Sequence, residues 1–199
     1  MAESRPSAIV LAGPNGAGKS TVAPAVLKDL LDIRLFVNAD TIAQGLSGFD
    51  PAVAAIEASG IMLDHFRRLA AARASFAFET TLASRSYAPW IRQLIEAGYR
   101  FRLLFLWLPS ADLAVARVAA RVRQGGHSIP SDVIRRRYKA GIRNFFELYQ
   151  PLASEWRVYD NTGKPPAIIA DGCRTEVLKV INDEAWSRFI TQGTREEKA

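Results

Sequence analysis

With 199 residues, 49% apolar and 23% charged, the chain is sized and balanced for one globular domain with a sizeable core. No apolar run reaches the roughly 18 residues of a membrane span, and the first seven residues lack an apolar signal core. The single cysteine, Cys173, excludes an internal disulfide and a cysteine-rich zinc site; with no other targeting signal read, a cytoplasmic location is the default expectation. The net charge of +6 is unevenly spread. Arg117, Arg121, Arg123, Arg135, Arg136, Arg137, Lys139 and Arg143 crowd one stretch, and this clustering points to a polyanion more than the total does.

Apolar runs alternate with amphipathic stretches, the pattern of βαβ units around a parallel sheet. Residues 8–12 are wholly apolar and read as a strand buried on both faces. A glycine-rich loop follows, then a helix over 19–31. A short strand is expected at 35–38. Asp50-Pro51 reads as a helix start, with Asp as cap and Pro in the first turn. Ile56, Leu63, Phe66 and Ala70 carry that helix at the right spacing to about Arg73. Residues 75–78 read as the third strand. A helix over 87–97 is stopped by Gly98. Residues 101–108, the most apolar stretch, read as a central strand. A helix over 110–124 ends at Gly125-Gly126. The next, from about Pro130, presents Ile134, Tyr138, Ile142, Phe145, Phe146 and Tyr149 inward. Residues 156–159 read as a fifth strand, 165–170 as a sixth strand or edge hairpin, 175–190 as a closing helix and 191–199 as a polar tail. The expected architecture is α/β: one domain over residues 1–199, in three layers, with a mostly parallel five-stranded sheet flanked by helices and a small arginine-bearing lid at about 117–143.

Gly13-Pro14-Asn15-Gly16-Ala17-Gly18-Lys19-Ser20 satisfies GxxxxGK[ST]. The glycines permit close backbone approach, so successive N–H groups form a concavity for phosphate oxygens. The helix that follows, from about Lys19, adds its N-terminal partial charge, and Thr21 in its first turn is counted among the nucleotide-binding residues. Lys19 is expected on the β- and γ-phosphates and the Ser20 hydroxyl on Mg²⁺, with ATP or GTP as the nucleotide. Asn161, after the fifth strand, is a candidate base contact by position alone.

The loop does not name the reaction. An ABC ATPase would need an apolar run ending in Asp-Glu and an LSGGQ signature; Leu46-Ser47-Gly48-Phe49-Asp50 lacks the second Gly and the Gln. The NKxD motif of a small GTPase is absent. Asp40 follows the second strand and Glu79 ends the third, where a doubly wound sheet faces its ligand crevice. One carboxylate can accept the proton of an attacking hydroxyl, and the other can hold magnesium through water or bind substrate; the bland alternative is that each caps the next turn. Arg117 and Arg121 share a helix face, and a triphosphate would offset their repulsion; the alternative is a solvated basic face. Arg136, Lys139 and Arg143 share another face. His127, beside the Gly125-Gly126 joint, reads either as a phosphate contact or as a loop residue, and His65 as structural.

Together these residues resemble the zeta-toxin family of P-loop kinases, in the small bacterial branch often labelled ABC-type ATPase. The resemblance spans about residues 8–172. It rests on the P-loop, Val37-Asn38-Ala39-Asp40, Phe76-Ala77-Phe78-Glu79-Thr80-Thr81-Leu82, the RVRQGGHSIP run from Arg121 to Pro130, and Tyr159-Asp160-Asn161. It implies a kinase that phosphorylates a sugar nucleotide, UDP-N-acetylglucosamine, and is held by a protein antitoxin. It implies Lys19 as the P-loop lysine, Asp40 as catalytic base, Glu79 and Thr81 as acceptor-binding residues and Arg121 as a phosphate-binding arginine. His127 stands where the family has its second arginine, and Arg117 or Arg136 is the candidate to compensate. No long insertion separates the third and fourth strands. Two other readings stay open: a kinase of nucleosides or nucleic-acid ends, which the inward placement of Phe145, Phe146 and Tyr149 disfavours, and a non-catalytic ATP-dependent switch. No membrane association is expected.

Overall fold

In the computed structural model, which describes residues 5–48, 53–126 and 128–194, five strands run parallel to their neighbours. They are β1 (Ser7–Ala12), β2 (Phe36–Val37), β3 (Phe76–Thr80), β4 (Arg100–Trp107) and β5 (Glu155–Asp160). Two antiparallel strands, β6 (Ala167–Cys173) and β7 (Glu176–Val180), extend the sheet, whose order is β2-β3-β1-β4-β5-β6-β7. β4 is the central strand, as its apolarity requires of a strand buried on both faces.

Register decides which side chains share a face. Ala8 lies opposite both Phe76 and Phe101, and Leu103 opposite Trp156. With the two-residue period of a strand, Phe76, Phe78, Phe101, Phe105 and Trp156 therefore point the same way. That face is covered by α3 (Ala55–Ala71), α4 (Tyr87–Glu96), α6 (Ser131–Asn144) and α7 (Asp183–Thr194). Phe66 of α3 stacks on both Phe76, at 5.5 Å, and Trp90, at 4.9 Å, and those two rings also meet at 6.0 Å. Phe105 meets Phe145 and Phe189, and Trp156 stacks on Trp186. Each fully buried aromatic contributes about 1.5–3 kcal/mol of transfer free energy. Ile9, Leu11 and Glu79 occupy the opposite face, where Glu79 meets the start of α1 (Lys19–Ala23).

The P-loop kinase-type α/β sheet stands as expected, with differences in particular elements. Among the described residues the strands number seven rather than five, and the closing helix runs over 183–194 rather than 175–190. Glu-Val-Leu-Lys-Val alternates with β-branched residues and pairs as β7, the hairpin turning at Arg174 with φ 49°. α7 then starts at Asp183, with Asn182 Oδ1 accepting from Ala185 N. The helix expected over 19–31 is α-helical only to Ala23; a π-helical stretch, Pro24–Leu30, follows where proline supplies no N–H. A helix not expected, α2 (Ala39–Leu46), follows β2. α5 (Ala111–Arg123) is capped by Ser110, whose side chain accepts from Leu113 N. The Asp50-Pro51 helix start lies outside the described residues.

Candidate active site

The loop between β1 and α1 is shaped for close approach. Gly13 has φ 140°, and a Cβ there would stand 2.3 Å from the Leu106 carbonyl oxygen. Gly16 has φ 78°, and its Cβ would stand 2.7 Å from the Ala114 carbonyl of α5. No side chain fits at either place, so the backbone itself forms the wall. Ala17 N donates to Pro14 O at 3.1 Å and closes the turn, and Thr21 N and Val22 N donate to Gly18 O where the helix begins. Lys19 is buried, with Nζ donating to Pro14 O at 3.1 Å. Burial pushes its pKa down; Glu79 and Asp40 pull it up, and Arg121 opposes them. The Asn15 side-chain oxygen is buried without a partner at the same loop. A phosphate chain fits this cradle: the N–H wall and Lys19 match its oxygens, and the Ser20 hydroxyl can join Mg²⁺.

Four elements meet beside that cradle. Glu79, near the C-terminal end of β3, accepts from Ser20 Oγ at 2.8 Å and from Asn38 Nδ2 at 3.2 Å through Oε2. Its Oε1 lies 3.6 Å from Lys19 Nζ. Asn38 caps α2, its Oδ1 accepting from Asp40 N at 2.8 Å. Asp40 is exposed in the first turn of α2, close enough to act on Lys19 electrostatically. Lys19, Ser20, Asp40 and Glu79 are thus gathered as the sequence led us to expect.

Arg117 and Asn161 stand differently. Arg117 was expected on the triphosphate. Its two terminal nitrogens instead donate to Asn161 O and Thr162 O, each at 2.8 Å. The cause is local: Asp160 Oδ1 accepts from Thr162 N at 2.8 Å, and the turn so formed presents both carbonyls toward α5. Asn161 was expected on the base. Its side chain is buried, and Nδ2 donates to Ala17 O at 2.6 Å, supporting the P-loop from behind. Arg121 packs under Gly126 and is felt electrostatically at Lys19. Thr81 Oγ1 accepts from Ala83 N at 3.4 Å, so its hydroxyl closes its own turn. His127 lies outside the described residues.

Two residues to which no sequence motif gives a role support the site. Asn38 is one; an Asn just before a helical pattern is the cap signal that would have found it. Asn144 is buried and donates to the carbonyls of Leu82 at 2.7 Å and Ala83 at 3.1 Å, holding Leu82 at φ 57°. Two clefts flank Phe36. One of about 660 Å³ runs from Ser20 past Ala23, Leu27, Lys28 and Arg34. Another of about 390 Å³ is lined by Asn38, Thr41, His65 and Arg68. Among the described residues no helix is long and apolar enough to cross a membrane, and no group of three His, Cys, Asp or Glu gathers as a metal site.

Strand order, cradle and carboxylates together define a P-loop protein of the kinase-like fold. The sequence profile of the AAA domain family matches residues 9–148, well over half of the chain, and the chain belongs to that family. An uncharacterized protein of Haemophilus influenzae is 29% identical over 131 residues, covering 66% of this chain and 91% of its own. Among solved structures, the AvrRxo1-ORF1:ORF2 complex with ATP superposes with a TM-score of 0.72 at 20% identity, over 99% of this chain and 67% of that one. The PezAT chromosomal toxin–antitoxin system of Streptococcus pneumoniae gives 0.69 at 17% identity, over 99% and 82%. These likenesses bear out the fold expected from the zeta-toxin resemblance.

Proposed function

We propose that the chain transfers the γ-phosphate of ATP or GTP to a hydroxyl of a small anionic molecule. The observation that carries this reading is the meeting of two carboxylates at one P-loop lysine: Glu79 lies 3.6 Å from Lys19 Nζ, and Asp40 acts on the same ammonium from α2. Lys19 and the loop N–H groups hold the phosphates. Asp40, exposed at the start of α2, accepts the proton of the attacking hydroxyl. Arg121 offsets the charge that develops on the transferred group. Mg²⁺, when bound through Ser20, supplies Lewis-acid charge on the phosphate oxygens. UDP-N-acetylglucosamine is the acceptor to try first, on the resemblance of the FETT and RVRQGGHSIP segments.

A protein antitoxin is the proposed partner, supported by the AvrRxo1-ORF1:ORF2 complex and the PezAT toxin–antitoxin system among the fold's likenesses. A cytoplasmic location is proposed with it. Nucleic-acid ends are a second acceptor class, favoured by one observation: Arg136, Lys139 and Arg143 are exposed at helical spacing on α6. The test is ATP binding and phosphate transfer by wild type and Asp40→Asn against nucleotide sugars, nucleosides and RNA. Binding with transfer by the wild type alone supports the reading. Biological activity that survives Asp40→Asn would favour a non-catalytic switch instead.

A further inference from the structure

We infer that Asn38 is a positioning residue that fixes Glu79 beside Ser20 and ties that carboxylate to the helix bearing Asp40. The inference rests on the kinase reading and deepens it. Asn38 uses both ends of its amide, donating from Nδ2 to Glu79 Oε2 at 3.2 Å and accepting at Oδ1 from Asp40 N at 2.8 Å. Among the described residues Glu79 meets Ser20 Oγ, Asn38 Nδ2 and Lys19 Nζ. Two of them, Ser20 and Lys19, are the groups a metal–nucleotide complex recruits. Asn38 is then the partner that stays. A carboxylate next to a metal is held in place by such neighbours, and their loss costs about 10–100-fold in metal affinity. The amide also fixes spacing: β2 and α2 cannot shift relative to the end of β3 without breaking one of its two bonds.

Substitution separates this role from plain capping. Asp and Ser are as good as Asn at a helix N-cap, since each keeps an oxygen for the Asp40 N–H. Asp has no donor for Glu79, and the Ser hydroxyl is too short to span both partners. Asn38→Asp and Asn38→Ser therefore keep the cap and lose the bond to Glu79. The measurement is the affinity of a fluorescent ATP analogue with and without Mg²⁺, beside the melting temperature and, where transfer is found, kcat and KM.

The expected result for Asn38→Ser is wild-type melting and wild-type metal-free affinity, with the gain in affinity from Mg²⁺ reduced about tenfold or more; Asn38→Asp sets a second carboxylate against Glu79 and lowers both melting and metal-free affinity. The loss in transfer falls on kcat, with KM for the acceptor unchanged. In a Glu79→Gln background, Asn38→Ser adds nothing further to that loss. A wild-type Mg²⁺ gain in Asn38→Ser overturns the inference and leaves Asn38 a cap. A further loss from Asn38→Ser in the Glu79→Gln background overturns it as well. If the wild-type protein binds nucleotide but Mg²⁺ adds nothing and no acceptor gains phosphate, the kinase reading itself fails, a distinct outcome.

Discussion

Ser20 Oγ donates to Glu79 Oε2 across 2.8 Å, joining the residue after the P-loop lysine to the end of the neighbouring strand. The two are 59 positions apart in the chain, and parallel pairing of β1 with β3 brings them together: Leu11 lies opposite Glu79 in the register. On the proposed kinase reading, the contact sets an anion beside Ser20 and Lys19, the residues that would hold Mg²⁺ and the phosphates. Glu79→Gln keeps the shape and removes the charge. It is expected to leave metal-free nucleotide affinity near wild type and to reduce the contribution of Mg²⁺, read by titration of an ATP analogue at several Mg²⁺ concentrations. Unchanged Mg²⁺ dependence would place the carboxylate's role elsewhere, on the acceptor.

Gly16→Ala tests the cradle. The added Cβ would stand 2.7 Å from the Ala114 carbonyl, in a backbone region that costs a non-glycine residue about 1–2 kcal/mol. The loop has to move away from α5. Nucleotide binding is expected to be lost in isothermal titration while the fold persists, with only a modest drop in melting temperature.

Asn144→Ala tests how the segment after Glu79 is held. Its amide bonds two carbonyls from within the core, at Leu82 and Ala83. Leaving buried carbonyls unpaired costs about 1–3 kcal/mol. Denaturant unfolding should show a loss of that order, and hydrogen exchange should rise first in residues 81–84.

The pH dependence of stability follows from Tyr138. Its hydroxyl donates to Leu108 O at 2.7 Å, and burial pushes its pKa up from the usual 10.0 to about 12. The folded state therefore keeps the phenolic proton at a pH where the unfolded chain has lost it. The unfolded state binds fewer protons in that window, so stability is present in full below pH 10 and falls as pH rises toward 12. Tyr149 is raised in the same sense to about 12. Tyr138→Phe should reduce the alkaline slope of unfolding free energy against pH, by up to about one proton's worth. An unchanged slope would contradict the assignment.

Much of this was legible in the sequence, for reasons that differ by element. β1, the P-loop and β4 were readable because each rests on a local pattern: an unbroken apolar run or a fixed glycine spacing. Asp40 and Glu79 were placed by the rule that ligands sit at the C-terminal ends of parallel strands. The roles of Arg117 and Asn161 were not readable. Each depends on the turn at residues 160–162 meeting α5 and the back of the P-loop, and that meeting is fixed by strand order, which no local pattern encodes. The sequence reads 175–190 as one closing helix, but residues 176–180 form β7. Pairing with β6 decides in favour of strand.

The most direct test of the central claim is mass spectrometry of acceptors after incubation with ATP and Mg²⁺, using wild type and Asp40→Asn on a panel led by UDP-N-acetylglucosamine. The account predicts that one acceptor gains a phosphate with the wild type. With Asp40→Asn that gain should fall about 10²–10⁴-fold while ATP binding is retained. ATP binding by the wild type with no phosphate gained by any acceptor, or equal transfer by the variant, would contradict it.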